Sequence, residues 1–299
     1  MFSDNKKPLV SILINCFNTS SFISKAINSV INQSYKNWEL IIWDDGSKDN
    51  TPDIARKFTD KRIKFFCSKR NFGLGPSRIK ATKKLSGSLI TILDSDDYYN
   101  PKKLSKQVEV FKNFPNISIC ATWAKVYNEK SQLKRLIKYN ENNHDVKKKL
   151  KFINLLPHSS IMYKKIFAQK VGWYSNNLEY SQDYDLSLKL LNHGDLHIIK
   201  EYLTFLVDRK SNMTNSKNLR SLRLKEYIFI LKDNLKKKNT NEEKKITNLI
   251  LDICLLKLSI VEIKINFIEN IKKLFLIFIK NPKIIFKFNT LKKITENKT

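Results

Sequence analysis

Glycine, proline, cysteine and histidine are all scarce in this chain, at 6, 7, 4 and 4 of 299 residues. The four cysteines (Cys16, Cys67, Cys120, Cys254) are widely scattered and form no C-x-x-C pair, which excludes a disulfide framework or a thiolate zinc site and fits a reducing compartment. His193 and His197 stand four residues apart. Gly194 and Asp195 between them favour a turn, however, and the glutamate of an H-E-x-x-H zinc helix is absent. Gly73-Leu74-Gly75 is too short for a dinucleotide fingerprint, because the third glycine position carries Arg78. The N-terminal Met-Phe-Ser-Asp-Asn-Lys-Lys-Pro lacks the apolar core of a signal peptide. No run reaches the roughly 18 apolar residues of a membrane span, and the late run Leu274 to Ile279 is far shorter. These absences predict a cytoplasmic protein without a transmembrane helix.

What is abundant is positive charge. A hydrophobic content of 41% with 28% charged residues is ordinary, but the net charge of +28 is not. Residues 210–299 carry 21 Lys/Arg against 8 Asp/Glu. Such a bias points to a polyanionic partner, whether anionic lipid, nucleic acid or acidic glycan. An Asn/Lys/Ile-rich composition that raises lysine everywhere is the plain alternative. A nucleic-acid-binding protein is disfavoured, since interleaved aromatics and a helix-turn-helix pattern are missing.

The apolar pattern alternates between two periods. Leu9 to Ile14, Trp38 to Trp43, Arg62 to Cys67 and Leu89 to Leu93 read as strands rich in β-branched and aromatic residues. Helical spacing follows in Phe22 to Ile31, from Thr51-Pro52 through Phe58, and in Ser77 to Leu85. Strand, polar turn and helix in repetition predict an α/β layer with a mostly parallel sheet, whose ligands bind beyond the carboxyl ends of the strands. Asn15 to Asn18, Asp44-Asp45 and Asp94 to Asp97 all fall at that edge. Further on, Ile117 to Val126 reads as a strand, and Lys130 to Lys151 as a basic loop with a helical portion. Pro157 to Met162 reads as a turn into a strand, and Tyr163 to Val171 as a helix stopped by Gly172. Ser181 to Leu186 opens a helix, and Leu196 to Ile199 and Leu203 to Val207 read as two closing strands. A boundary near Ser211 separates this layer from helices over Leu219 to Leu235 and Glu242 to Asn270.

The chemistry concentrates after the fourth strand, where Asp94, Asp96 and Asp97 place three carboxylates in four residues. Their mutual repulsion calls for a cation, and oxygen ligands suit Mg²⁺ or Mn²⁺ accompanied by a diphosphate. An acidic, helix-capping turn is the bland alternative. In the reading adopted, Asp96 is the main ligand and Asp97 leads into the next helix.

Taken in order, these motifs resemble the family 2 glycosyltransferases over about residues 8–208. Val10 to Asn18 looks like that family's opening strand and nucleotide loop, Ser29 to Tyr35 its first-helix end, and Asp44 to Thr51 its second acidic turn. Asn71-Phe72-Gly73 with Ser77-Arg78 resembles its Asn-x-Gly…Ala-Arg-Asn segment, and Asp94-Ser95-Asp96 its DXD motif. His158-Ser159-Ser160 resembles the acceptor-side loop and Gln182-Asp183-Tyr184-Asp185 the Glu-Asp catalytic turn. Three positions depart from the pattern: Asn15-Cys16 replaces Pro-Thr, Ile79 replaces an asparagine, and Gln182 replaces the glutamate before the catalytic aspartate.

The resemblance implies a GT-A fold, a Rossmann-like α/β/α sandwich with a mostly parallel central sheet, here with a C-terminal α-helical extension. The catalytic domain would span 1–210, with a nucleotide-sugar half at about 8–100 and an acceptor half at about 101–210, and the basic amphipathic extension 211–299. It implies inverting transfer of a hexosyl or N-acetylhexosaminyl group from a UDP-linked donor, on to a cell-surface polysaccharide or lipid-linked glycan. Asp183 would be the general base, and Asp96 and Asp94 would hold Mg²⁺ or Mn²⁺. Asn15, Phe17, Asn18, Asp45, Arg78 and Asp94 would line the donor nucleotide, and His158 and Gln182 the acceptor side. A nucleotidyltransferase with a similar sheet is the rival enzyme, but Asn15 to Ser20 has none of the glycine or basic residues its phosphate loop would need. Apolar residues from Leu274 to Phe288 interleave with Lys280, Lys283 and Lys287, a pattern suited to an interfacial helix on anionic lipid at the inner face of the cell membrane. Packing on the catalytic domain or on a second protomer is the alternative, and self-association stays open.

Overall fold

Alternating β-branched strands and amphipathic helices assemble as the pattern requires. The computed structural model describes residues 7–209, 219–236 and 240–262. β1 (Val10–Cys16), α1 (Ile23–Ile31), β2 (Trp38–Asp44), α2 (Thr51–Arg56), β3 (Ile63–Cys67), α3 (Leu74–Thr82) and β4 (Leu89–Ile92) come first. Next are β5 (Tyr98–Tyr99), α4 (Lys103–Asn113), β6 (Ile117–Asn128), β7 (Leu133–Ile137) and α5 (Asn143–Leu150). A 3-10 turn at His158–Ser160 leads to β8 (Met162–Lys164), α6 (Lys165–Lys170), α7 (Gln182–Leu190) and β9 (Asp195–Asp208).

The nine strands form one sheet in the order β3-β2-β1-β4-β8-β6-β9-β5, with β7 against β6. β3, β2, β1 and β4 are parallel neighbours. The short β8 runs antiparallel to both β4 and β6, so β6 regains the direction of β4, and β9 lies parallel to β6. The carboxyl ends of β1, β2, β4, β6 and β9 therefore share one edge. Alternation along β1 sends Ile12 and Ile14 into the core with Ile23, Ala26 and Ile27 of α1, and Leu13 into the opposite core with Ala81 and Leu85.

Several boundaries differ from the sequence expectation. Residues 130–151 hold strand β7, hydrogen-bonded to β6 as a hairpin, as well as the expected helical portion. Leu133, Lys134 and Arg135 are exposed, so no apolar alternation marks that strand. Met162–Lys164 is a strand and the helix after it starts at Lys165, because pairing with β4 and β6 overrides helical propensity. The two closing strands are one continuous strand, β9, which passes its bulges in register with β6. Lys103, on an otherwise unremarked turn of α4, is fully buried, donates to Gln107 Oε1 and Thr91 Oγ1, and has its pKa pulled down to about 7 by burial.

The chain divides into two compact units, residues 1–150 with 155–208, and residues 151–154 with 209–299. In the second, α8 (Arg220–Leu235) and α9 (Asn241–Glu262) bury Ile228, Leu231, Ile250, Leu251 and Cys254 against Phe152 and Tyr227. Among the described residues no helix is long and apolar enough to cross a membrane. The boundary near Ser211, the last part of the Glu242 to Asn270 helix and the basic apolar segment from Leu274 to Phe288 lie outside the described residues.

At the edge opposite the polar clusters, Glu39 of β2 ties three segments together. Its carboxylate accepts from Ser11 Oγ at 2.6 Å, Ser86 N at 2.6 Å and Lys64 Nζ at 2.9 Å. Burial pushes its pKa up, but the hydrogen bonds from Ser11, Lys64 and Ser86 outweigh it and hold the group below the usual carboxylate range. A depressed folded-state pKa stabilises the protein above the ordinary glutamate pKa, and that stability is lost as pH falls through the depressed value. Glu39→Gln should therefore lower the unfolding free energy by about 1–3 kcal/mol at neutral pH. Urea titrations should show the gap to the parent closing below about pH 4.

Candidate active site

The first two strand ends are locked together by their loops. Asn18 takes a left-handed backbone (φ 51°), its amide donates to Ser47 Oγ at 2.9 Å, and its Oδ1 accepts from Lys48 N at 2.8 Å. The adjacent aspartates after β2 divide the work. Asp44 is fully buried and takes up the turn itself, accepting from Gly46 N, Ser47 N and Ser47 Oγ. Gly46 makes that turn possible: its φ is +76° and a Cβ there would sit 2.7 Å from the Arg70 carbonyl carbon. Asp45 is also buried, and its Oδ2 accepts from the amides of Phe72 and Gly73 at 3.0 and 2.9 Å. Its Oδ1 is buried without a partner, as are Oδ1 and Nδ2 of Asn15. Phe17, at the tip of the first loop, is 42% exposed.

The acidic turn after β4 has a different internal logic. Asp94 keeps a side chain 43% exposed and pairs through Oδ1 with Arg78 Nη2 at 3.2 Å. Asp96 is partly exposed. Asp97 does not lead into a helix: it is buried, and β5 follows at once. Its Oδ2 accepts from Ser159 Oγ at 2.6 Å and its Oδ1 from Val207 N at 3.0 Å. Burial, then the charges of Asp96 and Asp94, push its pKa well above the usual carboxylate range. Ser159 Oγ also accepts from the Asp94 amide at 3.1 Å, so one hydroxyl joins both aspartates.

Tyr174 lies at the centre of the remaining candidates. Its hydroxyl is 3.2 Å from His158 Nε2 and 3.5 Å from the Tyr163 hydroxyl, and the Arg78 guanidinium lies 5.8 Å from its ring. Burial raises its pKa to about 12, and the charges of Asp183 and Asp94 add to that rise. Burial, then the Arg78 charge, push His158 well below its usual pKa and keep it neutral. Asp183 is in the first turn of α7, whose N-cap residue is Ser181, so its place is inside the helix and not at the cap. Gln182 is fully buried; its Nε2 donates to Ser175 O, and a Cβ on Gly75 would fall 2.8 Å from that nitrogen. The structure thus gathers His158 and Arg78 about Tyr174, with Asp94 paired to Arg78, and the Asp45 amide donates to Cys16 O of β1. Sequence reasoning missed Tyr174 and Ser159 as organisers. The Ser159 signal was its place in His-Ser-Ser; Tyr174 carries none beyond following Gly172.

Asp94 and Asp96 offer two hard oxygen donors, and among the described residues no group of three or more His, Cys, Asp or Glu gathers as a metal cage. Two carboxylates fit Mg²⁺ or Mn²⁺, which commonly takes one or two from the protein and completes its shell with water and substrate phosphates. Asp97 is turned away and committed to Ser159 and Val207, so it does not belong to that donor set.

This sheet, with its polar edge at the strand ends, is the fold of the GT-A glycosyltransferases. The chain belongs to glycosyl transferase family 2, whose profile matches residues 11–175 and so stops short of Asp183. An Escherichia coli UDP-Glc:α-D-GlcNAc-diphosphoundecaprenol β-1,3-glucosyltransferase is 31% identical over 194 residues, 64% of this chain and 73% of that protein. Residues 1–349 of Staphylococcus aureus TarS, solved with UDP-GlcNAc, superpose with a TM-score of 0.65 at 16% identity, covering 92% of this chain and 81% of that one. A Pyrobaculum calidifontis mannosyltransferase, solved with GDP-Man and Mn²⁺, superposes at 0.62 and 13% identity, covering 86% and 72%. At these identities the two structures establish the shared fold.

The Ser159 clasp makes a direct prediction. Ser159→Ala removes the donor to Asp97 and the acceptor for the Asp94 amide, and should cost about 1–3 kcal/mol of stability. Chemical denaturation would measure it; an unchanged midpoint would show the clasp to be dispensable.

Proposed function

We propose that this chain is an inverting transferase that moves a sugar from a UDP-linked donor to a hydroxyl of a cell-surface polysaccharide or lipid-linked glycan. The observation that carries the donor assignment is the single unpartnered oxygen of Asp45. Uracil presents one N–H between two carbonyls, which matches Asp45 Oδ1 together with the unpartnered amide of Asn15 near the end of the neighbouring strand β1. Guanine presents paired N–H groups that call for both oxygens of a carboxylate, and Asp45 Oδ2 is already committed to Phe72 and Gly73. Phe17 covers the base, Asn18 holds the loop that carries Phe17, and Arg78 keeps Asp94 oriented.

For the transfer itself, Asp183 accepts the proton of the acceptor hydroxyl as that oxygen bonds to the anomeric carbon. The bond to UDP breaks with its electron pair on the diphosphate, so one displacement inverts the centre. Asp94 and Asp96 would hold Mg²⁺ or Mn²⁺, which supplies positive charge opposite the departing diphosphate. His158, neutral and hydrogen-bonded to Tyr174, shapes the acceptor side together with Gln182. In this reading residues 8–100 bind the donor and 101–210 the acceptor, and the basic segment 211–299 favours an anionic membrane surface where a lipid-linked acceptor would reside.

Two measurements test the reading. In a panel of nucleotide sugars, UDP should be released from UDP-linked donors and EDTA should suppress it; turnover of GDP-sugars alone would overturn the base assignment. Asp183→Asn should keep UDP affinity and lose transfer by about a thousandfold or more. Retained transfer would remove Asp183 as the base.

A further inference from the structure

The core beneath the 3-10 turn contains an amine that no step above uses. Lys103 is the first residue of α4 and is fully buried. Its Nζ donates to Gln107 Oε1 at 2.9 Å and to Thr91 Oγ1 at 3.2 Å, and lies 4.0 Å from the centroid of the Tyr99 ring. Both acceptors are neutral, and among the described residues no carboxylate pairs with the amine. The titratable groups that face it are Tyr99 of β5 and Cys120 of β6. Burial pushes both well above their ordinary pKa, so both are uncharged. The helix start on which Lys103 stands is the positive end of the α4 dipole. An ammonium placed here loses its water and gains no counter-charge, which favours the neutral amine. Burial accordingly pulls the pKa of Lys103 down to about 7.

The partners of this amine hold the chain that carries the candidate site. Thr91 Oγ1 donates to Ile161 O at 2.7 Å. Gln107 Nε2 spends its two protons on Ser160 O at 3.0 Å and Cys120 O at 2.8 Å. Ser160 ends the 3-10 turn that begins at His158, and within that turn the Ser159 hydroxyl holds the Asp94 amide and the Asp97 carboxyl. The amine is thus two hydrogen bonds from each carbonyl that seats the turn. Without it, Gln107 Oε1 is a buried acceptor with no donor. Water must reach the amine before it can take a proton, so protonation requires the start of α4 to part from β4 and the turn.

We propose that Lys103 is a positioning residue whose uncharged amine locks the His158–Ser160 turn, and through Ser159 the acidic turn, into the arrangement that receives a metal-bound diphosphate, and whose protonation releases them. The functional consequence rests on the transferase reading, whereas the lock itself does not. Folding depresses this pKa below the ordinary lysine value. The stability it contributes is therefore complete above the ordinary value, declines as pH falls, and is lost as pH passes through about 7.

The test uses the full chain labelled with ¹³C at the lysine ε-carbons and followed by NMR. One lysine signal should titrate near pH 7, well below the others, and should be missing from Lys103→Met. Thr91→Val takes one acceptor from the ammonium and should move that midpoint lower still. From about pH 6 to about pH 8, calorimetric affinity for UDP in the presence of Mn²⁺ should rise about tenfold in the parent, and several-fold less in Lys103→Met. Ionisation of UDP itself is common to both proteins and cancels in the comparison. In urea, the unfolding constant of the parent relative to Lys103→Met should fall about tenfold per pH unit above about pH 7.

A chain in which every lysine titrates in the ordinary range would overturn the proposal. Identical pH profiles of UDP affinity in parent and Lys103→Met would overturn it as well. Should Lys103→Met fail to fold, Thr91→Val decides: its lysine midpoint and its UDP profile should shift together, and a shift in neither would refute the lock. A parent that binds no UDP at any pH would strike instead at the transferase reading, while the NMR and urea titrations would still decide the lock.

Discussion

A buried carboxyl group holds the two halves of the catalytic edge in place. Asp97 reaches Ser159, 62 residues on, and Val207, 110 residues on, through one oxygen each. The acidic turn, the 3-10 turn and the end of β9 are thereby fixed to a single side chain. Removing water from a carboxylate is costly, and the neighbouring charges of Asp96 and Asp94 add to that cost, which is why the group is held toward its neutral form. Packing that tolerates such a group must be firm, so Asp94 and Asp96 are presented from a rigid support while remaining open to solvent and ligand.

The loop edge proposed for the donor repeats the principle in another form. Asp44 and Asp45 are adjacent in sequence and equally buried, yet they do unlike work. The first spends both oxygens on its own turn, and the second leaves one oxygen without a partner. An orphaned buried acceptor is unfavourable until a ligand supplies the missing hydrogen. Binding is then rewarded at a site where the protein has already borne the desolvation. The Tyr174 group works alongside it: Arg78 is anchored between Asp94 and the Tyr174 ring, and His158 stays neutral beside that cation.

Much of the catalytic layer was legible in the sequence because its signals are local. The strands β1, β2 and β4 are apolar runs buried on both faces, and polar clusters at their carboxyl ends are where a parallel sheet must place its ligands. Asn15, Asp45 and Asp94 stand at those ends, whereas Asp183, in the first turn of α7, was reached through the family resemblance. The hairpin strand β7 could not be read locally, because its side chains are exposed and its reason for being a strand is the pairing with β6. Tyr163 and Lys164 read as the start of a helix for the same reason: their strand form depends on partners far along the chain.

The sequence by itself determined the alternation of strands and helices through β4 and the acidic turns at the strand ends, since periodicity and residue type act within a few positions, and the class of chemistry followed from the family resemblance. Only the tertiary structure decided which carboxylates are committed to hydrogen bonds within the fold. Asp97 and Asp96 look interchangeable on paper, as do Asp44 and Asp45. What separates them is the approach of Ser159, Val207, Phe72 and Gly73, donors brought in by chain crossings that no local pattern encodes. The same crossings bring Phe205 against Tyr98 and Tyr127, so that three aromatic residues dispersed in the sequence meet.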